Sequence, residues 1–235
     1  MTTSTPTPSA LRYPVLVFDW DGTLYDSTAA IVHATQAGCA DLGLRIPTPD
    51  EARWIIGLGL TPALQRLQPG LGAEQTQALV ERFRHHYRLQ QDGLDFFPGT
   101  LDVLARLQGL GHRLAVATGA NRATLQPRLN RLPPAPGPDG WFAATRTADE
   151  TASKPDPMML FELMDELDCN AAELLMIGDT RHDIDLAHNA GAQALAVSWG
   201  AHDRATLAQA QPLALVDSWD SLLHWLHPEL AGEAP

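Results

Sequence analysis

Short, bulky, almost uninterrupted apolar runs recur along this chain, separated by helical patterns. That alternation restricts the possible folds more than any other feature. Residues 13–18 (Tyr-Pro-Val-Leu-Val-Phe) open the series, and residues 114–118, 174–178, 194–198 and 213–216 continue it. A strand that is apolar on both faces needs cover on both faces, which is the condition of a buried parallel sheet. Helical patterns lie between the runs, among them 100–109, 157–167 and 183–190. Strand alternating with helix predicts a doubly wound, Rossmann-like α/β core around a parallel sheet.

Residues 27–96 break this rhythm. They hold helical stretches at 28–42, 49–56 and 73–90 and no buried strand, which predicts a small all-helical cap inserted after the first strand. The expected core is then 11–26 together with 97–228, with flexible tails at 1–10 and 229–235. Phe97-Pro98-Gly99-Thr100 marks the return to the core, with Thr100 placed to cap a helix. The proline-rich run at 132–140 reads as a loop.

Charge narrows the function. Sixteen basic residues against 28 acidic ones leave a formal charge of −12. Such a surface disfavours nucleic acid and anionic membranes, which need basic groups to displace counterions. No apolar run approaches the ~18 residues of a membrane span, and residues 1–10 lack the pattern of a signal peptide. Two cysteines, Cys39 and Cys169, suit a reducing compartment. The expectation is a cytoplasmic monomer or homodimer. Among the 16 basic residues only Lys154 is a lysine, so a compact ammonium is reserved for one position. It is also expected to be the one side chain that an amine reagent would modify.

In an open parallel sheet, functional groups gather beyond the carboxyl ends of the strands. Those ends here carry Asp19 and Asp21, Thr118 and Gly119, and Gly178-Asp179 followed by Asp183, with Lys154 in a nearby loop. Three or four converging carboxylates repel one another unless a cation joins them. Oxygen ligands select a hard ion, Mg²⁺ first. Mg²⁺ retains positions for water and phosphate oxygens, which points to phosphate chemistry and a small phosphorylated metabolite as partner.

Asp19-Trp20-Asp21-Gly22-Thr23, Thr118-Gly119, Lys154-Pro155 and Gly178-Asp179-Thr180-Arg181-His182-Asp183 resemble, in order and spacing, the four motifs of the haloacid dehalogenase superfamily. The resemblance spans roughly 15–226 and is nearest to the branch that resembles phosphoglycolate phosphatase. It implies a nucleophile at Asp19, which would form an aspartyl-phosphate. Asp21 would serve as general acid and then base. Phosphoryl oxygens would meet Thr118, the Gly119 amide and Lys154, with Trp20, Gly22 and Thr23 completing the phosphate-binding loop. Mg²⁺ would be held by Asp19, Asp179 and the Asp21 backbone carbonyl, with Asp183 mostly through water or in support.

Asp21 and Asp179 argue against a dehalogenase, and a cap without lysine argues against Schiff-base phosphonatase chemistry. Sugar-phosphate mutases keep the same core, but their cap-hinge histidine aligns with Ile31 here, and His33 falls on another helix face. A non-catalytic binding protein would have lost Asp19, Lys154 or Asp179. Hydrolysis is therefore the expected reaction, with phosphoglycolate the default substrate. The second motif continues Gly119-Ala120-Asn121-Arg122 rather than with the Asn and Lys of many relatives, so contacts beyond the phosphate are expected to differ. His182 and Asp185 read as solvent-facing, and His85 and His86 as a solvated helix face. Residues 54–60 resemble the cap loop that approaches substrate, and His202 is a candidate for lining the pocket. Hinges are expected near Asp26-Ser27 and 97–99.

Overall fold

In a computed structural model, residues 11–137 and 140–230 are described. Of the tails expected at 1–10 and 229–235, residues 1–10 and 231–235 lie outside them, as do two residues of the proline-rich loop. Within the described part, Glu229 and Leu230 correct the expected tail boundary. They belong to a short 3-10 helix, Pro228–Leu230, held by a 2.8 Å contact between Glu229 and the His227 ring.

Six strands form one parallel sheet: β1 (Val15–Phe18), β2 (Arg113–Thr118), β3 (Ala144–Thr147), β4 (Leu174–Gly178), β5 (Gln193–Val197) and β6 (Ala214–Val216), in the order β3-β2-β1-β4-β5-β6. Period-two alternation divides the core between the two faces. Val15, Val17, Ala115, Ala117, Leu174 and Met176 pack toward α7 (Met158–Glu166) and α8 (Arg181–Asn189). Leu16, Phe18, Leu114, Val116, Leu175 and Ile177 pack toward α5 (Thr100–Gly109), α6 (Arg122–Leu129) and α10 (Trp219–Leu226). Because both faces are covered, the central strands are apolar throughout. A ninth helix in chain order, α9 (Arg204–Gln209), covers the β5–β6 end.

β3 was not among the expected strands. It is an edge strand, Ala-Thr-Arg-Thr, whose Arg146 reaches Glu162 at 2.6 Å and Glu166 at 2.7 Å on α7. An edge strand with three polar residues of four carries no continuous apolar signal. Its register, with Thr118 opposite Thr147, sets the loop that follows β3 beside the loop after β2.

Between β1 and α5 lie α1 (Thr28–Asp41), α2 (Pro49–Trp54), α3 (Leu60–Leu67) and α4 (Ala73–Arg88), with no strand among them. Cys39, Leu64, Leu79 and Val80 form their main apolar cluster. α2 begins in a reciprocal cap, where Thr48 and Glu51 each bond the other's backbone N–H. The chain leaves and re-enters the core side by side. The Asp26 N–H donates to the Asp95 carbonyl at 2.9 Å, and the Phe97 N–H to the Leu24 carbonyl at 3.0 Å. Gly99 turns the chain into α5 with a φ of +81°. Both cysteines are free thiols. No helix of the described residues is long and apolar enough to cross a membrane.

Candidate active site

The chain runs β1, β2, β3 toward one edge and then crosses back to place β4 on the other side of β1. That reversal opens a crevice at the carboxyl ends of β1 and β4. Asp19 follows β1, its N–H bonded to the Ile177 carbonyl of β4 at 2.9 Å. Asp179 follows β4, and Asp183 sits in the first turn of α8. One oxygen from each of these three buried carboxylates falls within 4.8 Å of the others.

Lys154 lies among them, its side chain fully enclosed. Its Nζ donates to Asp19 Oδ1 at 2.7 Å and to Asp183 Oδ1 at 2.5 Å. Burial and the two carboxylates bonded to its ammonium weigh against the expectation that an amine reagent would modify Lys154 in the folded chain. Asp179 and Asp183 are also braced from behind. Thr23 Oγ1 donates to Asp179 Oδ1 at 2.6 Å and the Ala201 N–H to Asp179 Oδ2 at 2.7 Å. Asp183 Oδ2 accepts from the Thr180 N–H at 3.0 Å and hydroxyl at 2.7 Å, closing the helix cap of α8. Two glycines make room. A Cβ on Gly22 would stand 2.3 Å from Asp179 Oδ2, and one on Gly200 2.2 Å from it.

The electrostatics identify what this cluster lacks. Burial lifts Asp19 well above the ordinary carboxylate range, opposed by Lys154 and reinforced by Asp183 and Asp179. Burial, followed by the Asp183 charge, pushes Asp179 up to about 7. Burial works against the Lys154 ammonium, yet Asp183 and Asp19 hold its pKa above the usual value. One ammonium cannot balance three carboxylates. Asp19 Oδ2 is moreover buried with no hydrogen-bond partner, an orphan that carries a real cost unless a ligand joins it. An all-oxygen donor set with a surplus of negative charge fits a hard divalent cation such as Mg²⁺.

Asp21 stands apart from this cluster. Its Oδ1 accepts from Ser27 Oγ at 2.6 Å and from Arg128 Nη1 at 2.9 Å. Asp21, Asp19, Thr118 and Gly119 line a cavity of about 730 Å³ between the sheet edge and α6 on one side and α1, α3 and α4 on the other. Residues 55–60 form its roof, and Gly119 meets them so closely that a Cβ there would lie 2.5 Å from the Gly57 carbonyl oxygen. The Gly59 N–H donates to Ser153 Oγ at 2.6 Å, one residue before Lys154. The helical insertion therefore sits down on the catalytic edge through backbone atoms.

The remaining expected residues have other surroundings. The Trp20 side chain is in the core against Tyr25, Phe96 and Phe142. Trp20, Gly22, Thr23 and Lys154 are not among the residues lining the cavity, and neither are Asp179 and Asp183. His182 is buried rather than solvent-facing, because Trp54 of the insertion covers it. Its Nε2–H reaches the Trp54 carbonyl at 2.7 Å. His202 does not line the cavity either. It stacks on the Trp54 ring at 4.9 Å and accepts from the Arg181 N–H. Burial lowers the pKa of both histidines, that of His202 to about 4. Asp185 pairs with Arg181 at 3.1 Å, and His86 with Asp41 at 2.8 Å. Reading the sequence missed Ser27, Arg128, Ser153 and Ala201. Arg128, Ser153 and Ala201 meet partners 107, 94 and 22 positions away, and Ser27 reaches Asp21 six residues back only through the turn that follows β1.

A haloacid dehalogenase-like hydrolase family model matches residues 16–197. The chain belongs to the haloacid dehalogenase-like hydrolases. Among curated members, "Probable phosphatase IndB" of Dickeya dadantii is 36% identical over 220 residues, covering 91% of this chain and 94% of that protein. A phosphoglycolate phosphatase of Agrobacterium fabrum is 28% identical, covering 94% and 95% respectively. A hydrolase from Pseudomonas syringae shares the fold of this haloacid dehalogenase-like chain, with a TM-score of 0.81 at 23% identity over 93% of this chain and 99% of that one.

Proposed function

We propose that this hydrolase is a Mg²⁺-dependent phosphatase that cleaves a small phosphate monoester through an aspartyl-phosphate on Asp19. The observation that carries this reading is the division of labour among the acids. Asp19 is bonded to Lys154 within a cation-binding cluster, while Asp21 is held separately at the cavity wall. In the first step the Asp19 carboxylate attacks phosphorus, the ester P–O bond breaks, and Asp21 gives its proton to the departing alkoxide. In the second, Asp21 takes a proton from a water molecule, which attacks the phosphoryl group, frees phosphate and restores Asp19.

Lys154 holds Asp19 in place and offsets charge that builds up on the phosphoryl oxygens. Thr118 and the Gly119 amide, at the end of β2, offer those oxygens hydrogen bonds. Asp19, Asp179, Asp183 and the Asp21 backbone carbonyl would hold Mg²⁺, whose positive charge there favours the approach of a phosphate dianion. The roof formed by 55–60 excludes water that would screen these charges.

Hydrolysis is favoured over phosphoryl transfer between sugar positions because Ile31, and no histidine, lines the cavity among the described residues. His33 bonds instead to Gln90 at 2.8 Å. Phosphoglycolate, the substrate named for several relatives, is the first ester to test. A panel of phosphate esters, assayed for released phosphate with Mg²⁺ and with chelator, is expected to show metal-dependent turnover of small esters. Isomerised sugar phosphate without release would make the chain a mutase. Ligand binding with no reaction would make it a binding protein.

A further inference from the structure

Arg128 is a buried cation that the reaction scheme above does not use. It lies on α6, 107 positions from Asp21, at the cavity wall, and each of its two terminal nitrogens makes one hydrogen bond to the protein. Nη1 donates to Asp21 Oδ1, and Nη2 donates to the Tyr87 hydroxyl of α4. The planar group lies 4.6 Å above the centre of the Tyr25 ring. Tyr25 is itself tied across the crossing strands, its hydroxyl donating to the Leu94 carbonyl at 2.8 Å. Ser27, at the start of α1, holds the same Asp21 oxygen as Arg128 does. No hydrogen bond engages Asp21 Oδ2 among the described residues, and Asp21 lines the cavity.

We propose that Arg128 is a positioning residue for Asp21, and that Tyr87 makes its grip depend on α4 being seated against the core. The inference rests on the phosphatase reading, since it concerns the acid that reading assigns. Two donors on Oδ1 fix the carboxyl rotamer and turn Oδ2 toward the substrate. The donors come from opposite sides, Ser27 from the first crossing strand and Arg128 from the core. A guanidinium suits this bridge because its fork serves two acceptors at once in a rigid plane. A lysine would carry the charge without spanning both. If α4 moves away, Tyr87 leaves with it and Arg128 loses one of its two anchors. Asp21 is then well aimed only while the cavity is roofed, so proton transfer is confined to the state from which bulk water, beyond the one attacking molecule, is excluded. In this scheme Arg128, which also meets the cavity, acts on the acid rather than on the phosphate.

The test compares the intact wild-type protein with Arg128→Gln, Arg128→Lys, Tyr87→Phe and the Arg128→Gln/Tyr87→Phe double variant. Each is assayed with Mg²⁺ on a series of aryl and alkyl phosphates graded by leaving-group basicity. General acid catalysis contributes on the order of 10²–10⁴ in rate, so a misdirected acid forfeits part of it. Arg128→Gln is expected to lower kcat about 10- to 100-fold for alkyl esters and distinctly less for the first-turnover burst from p-nitrophenyl phosphate, which needs no proton to leave. KM changes little. Arg128→Lys is expected to stay impaired. Tyr87→Phe is expected to lower kcat about 5-fold with the same leaving-group trend, and the double variant to match Arg128→Gln alone.

A uniform loss across all leaving groups, a rise in KM at unchanged kcat, or additive effects in the double variant would each overturn the proposal while leaving the phosphatase reading intact. A wild-type protein that hydrolyses no ester in the series would overturn both.

Discussion

Replacing Lys154 by methionine keeps the length of the stem and deletes the charge. The change removes the donor shared by Asp19 at 2.7 Å and Asp183 at 2.5 Å, in a site where all three side chains are buried. Breaking a buried ion pair costs about 3–5 kcal/mol, because the surviving charges stay desolvated. Here the lower end applies near pH 7. Burial already drives Asp19 and Asp179 upward, so one carboxyl can escape the penalty by taking a proton. For a chain of this size about 3 kcal/mol corresponds to a fall in Tm of about 6–12 °C. The escape by protonation also fixes a sign: the deficit against wild type shrinks as pH falls from 8 to 6. Scanning calorimetry in chelator at pH 6, 7 and 8 measures both quantities, and Mg²⁺ added back should recover part of the loss by supplying the missing charge. A Tm within about 2 °C of wild type at all three pH values would refute the claim that Lys154 balances the cluster. So would a deficit that grows on acidification.

Asp19→Asn should abolish turnover without lowering the Tm measured in chelator, since it removes one of three mutually repelling carboxylates; calorimetry beside a phosphate-release assay decides it. Gly119→Ala places a methyl group 2.5 Å from the Gly57 carbonyl oxygen and 2.6 Å from that of Leu58. It should lift residues 57–59 and lower kcat/KM about 10- to 100-fold, with the change in shape visible by solution scattering. His112 is buried beside His227, and burial lowers its pKa from 6.5 to about 4. The folded state therefore favours neutral His112, and this contribution is complete above pH 6.5. It drains away, by up to about 3 kcal/mol, as pH falls from 6.5 toward 4. Denaturant titrations across that range should show the slope, and His112→Asn should flatten it.

The parts of this molecule visible in its sequence are those where one physical demand acts on adjacent residues. β1 and β4 are buried on both faces, so every position must be apolar and the strands announce themselves. β3 lies at an edge and gives three of its four positions to Thr145, Arg146 and Thr147, so no run forms. The short α3 stands between two glycine-rich turns, and its apolar face is only three residues deep, which hides it among the loops. In the site, acids at strand ends stand out because the topology alone explains their clustering. The groups that orient them do not. Thr23 and Ala201 come to Asp179 from 156 and 22 positions away, and Arg128 to Asp21 from 107. His182 was misread for the same reason: an amphipathic pattern shows which face of α8 meets the sheet, but not that Trp54 will arrive to cover the other.

The seal between residues 57–59 and the core is made largely of main-chain groups. The Gly57 and Leu58 carbonyls lie over Gly119, and the Gly59 N–H sits on Ser153. Side chains at Ile55, Leu58 and Leu60 face the same cavity without taking part in those contacts. Enclosure and selectivity are thus written in different atoms. Substitutions at these three positions can reshape the chamber while the lid still fits, so a lineage could wander from one ester to another without passing through a leaky intermediate. The acids beneath have no such freedom, because Asp183 starts α8 and anchors Lys154 with the same carboxylate.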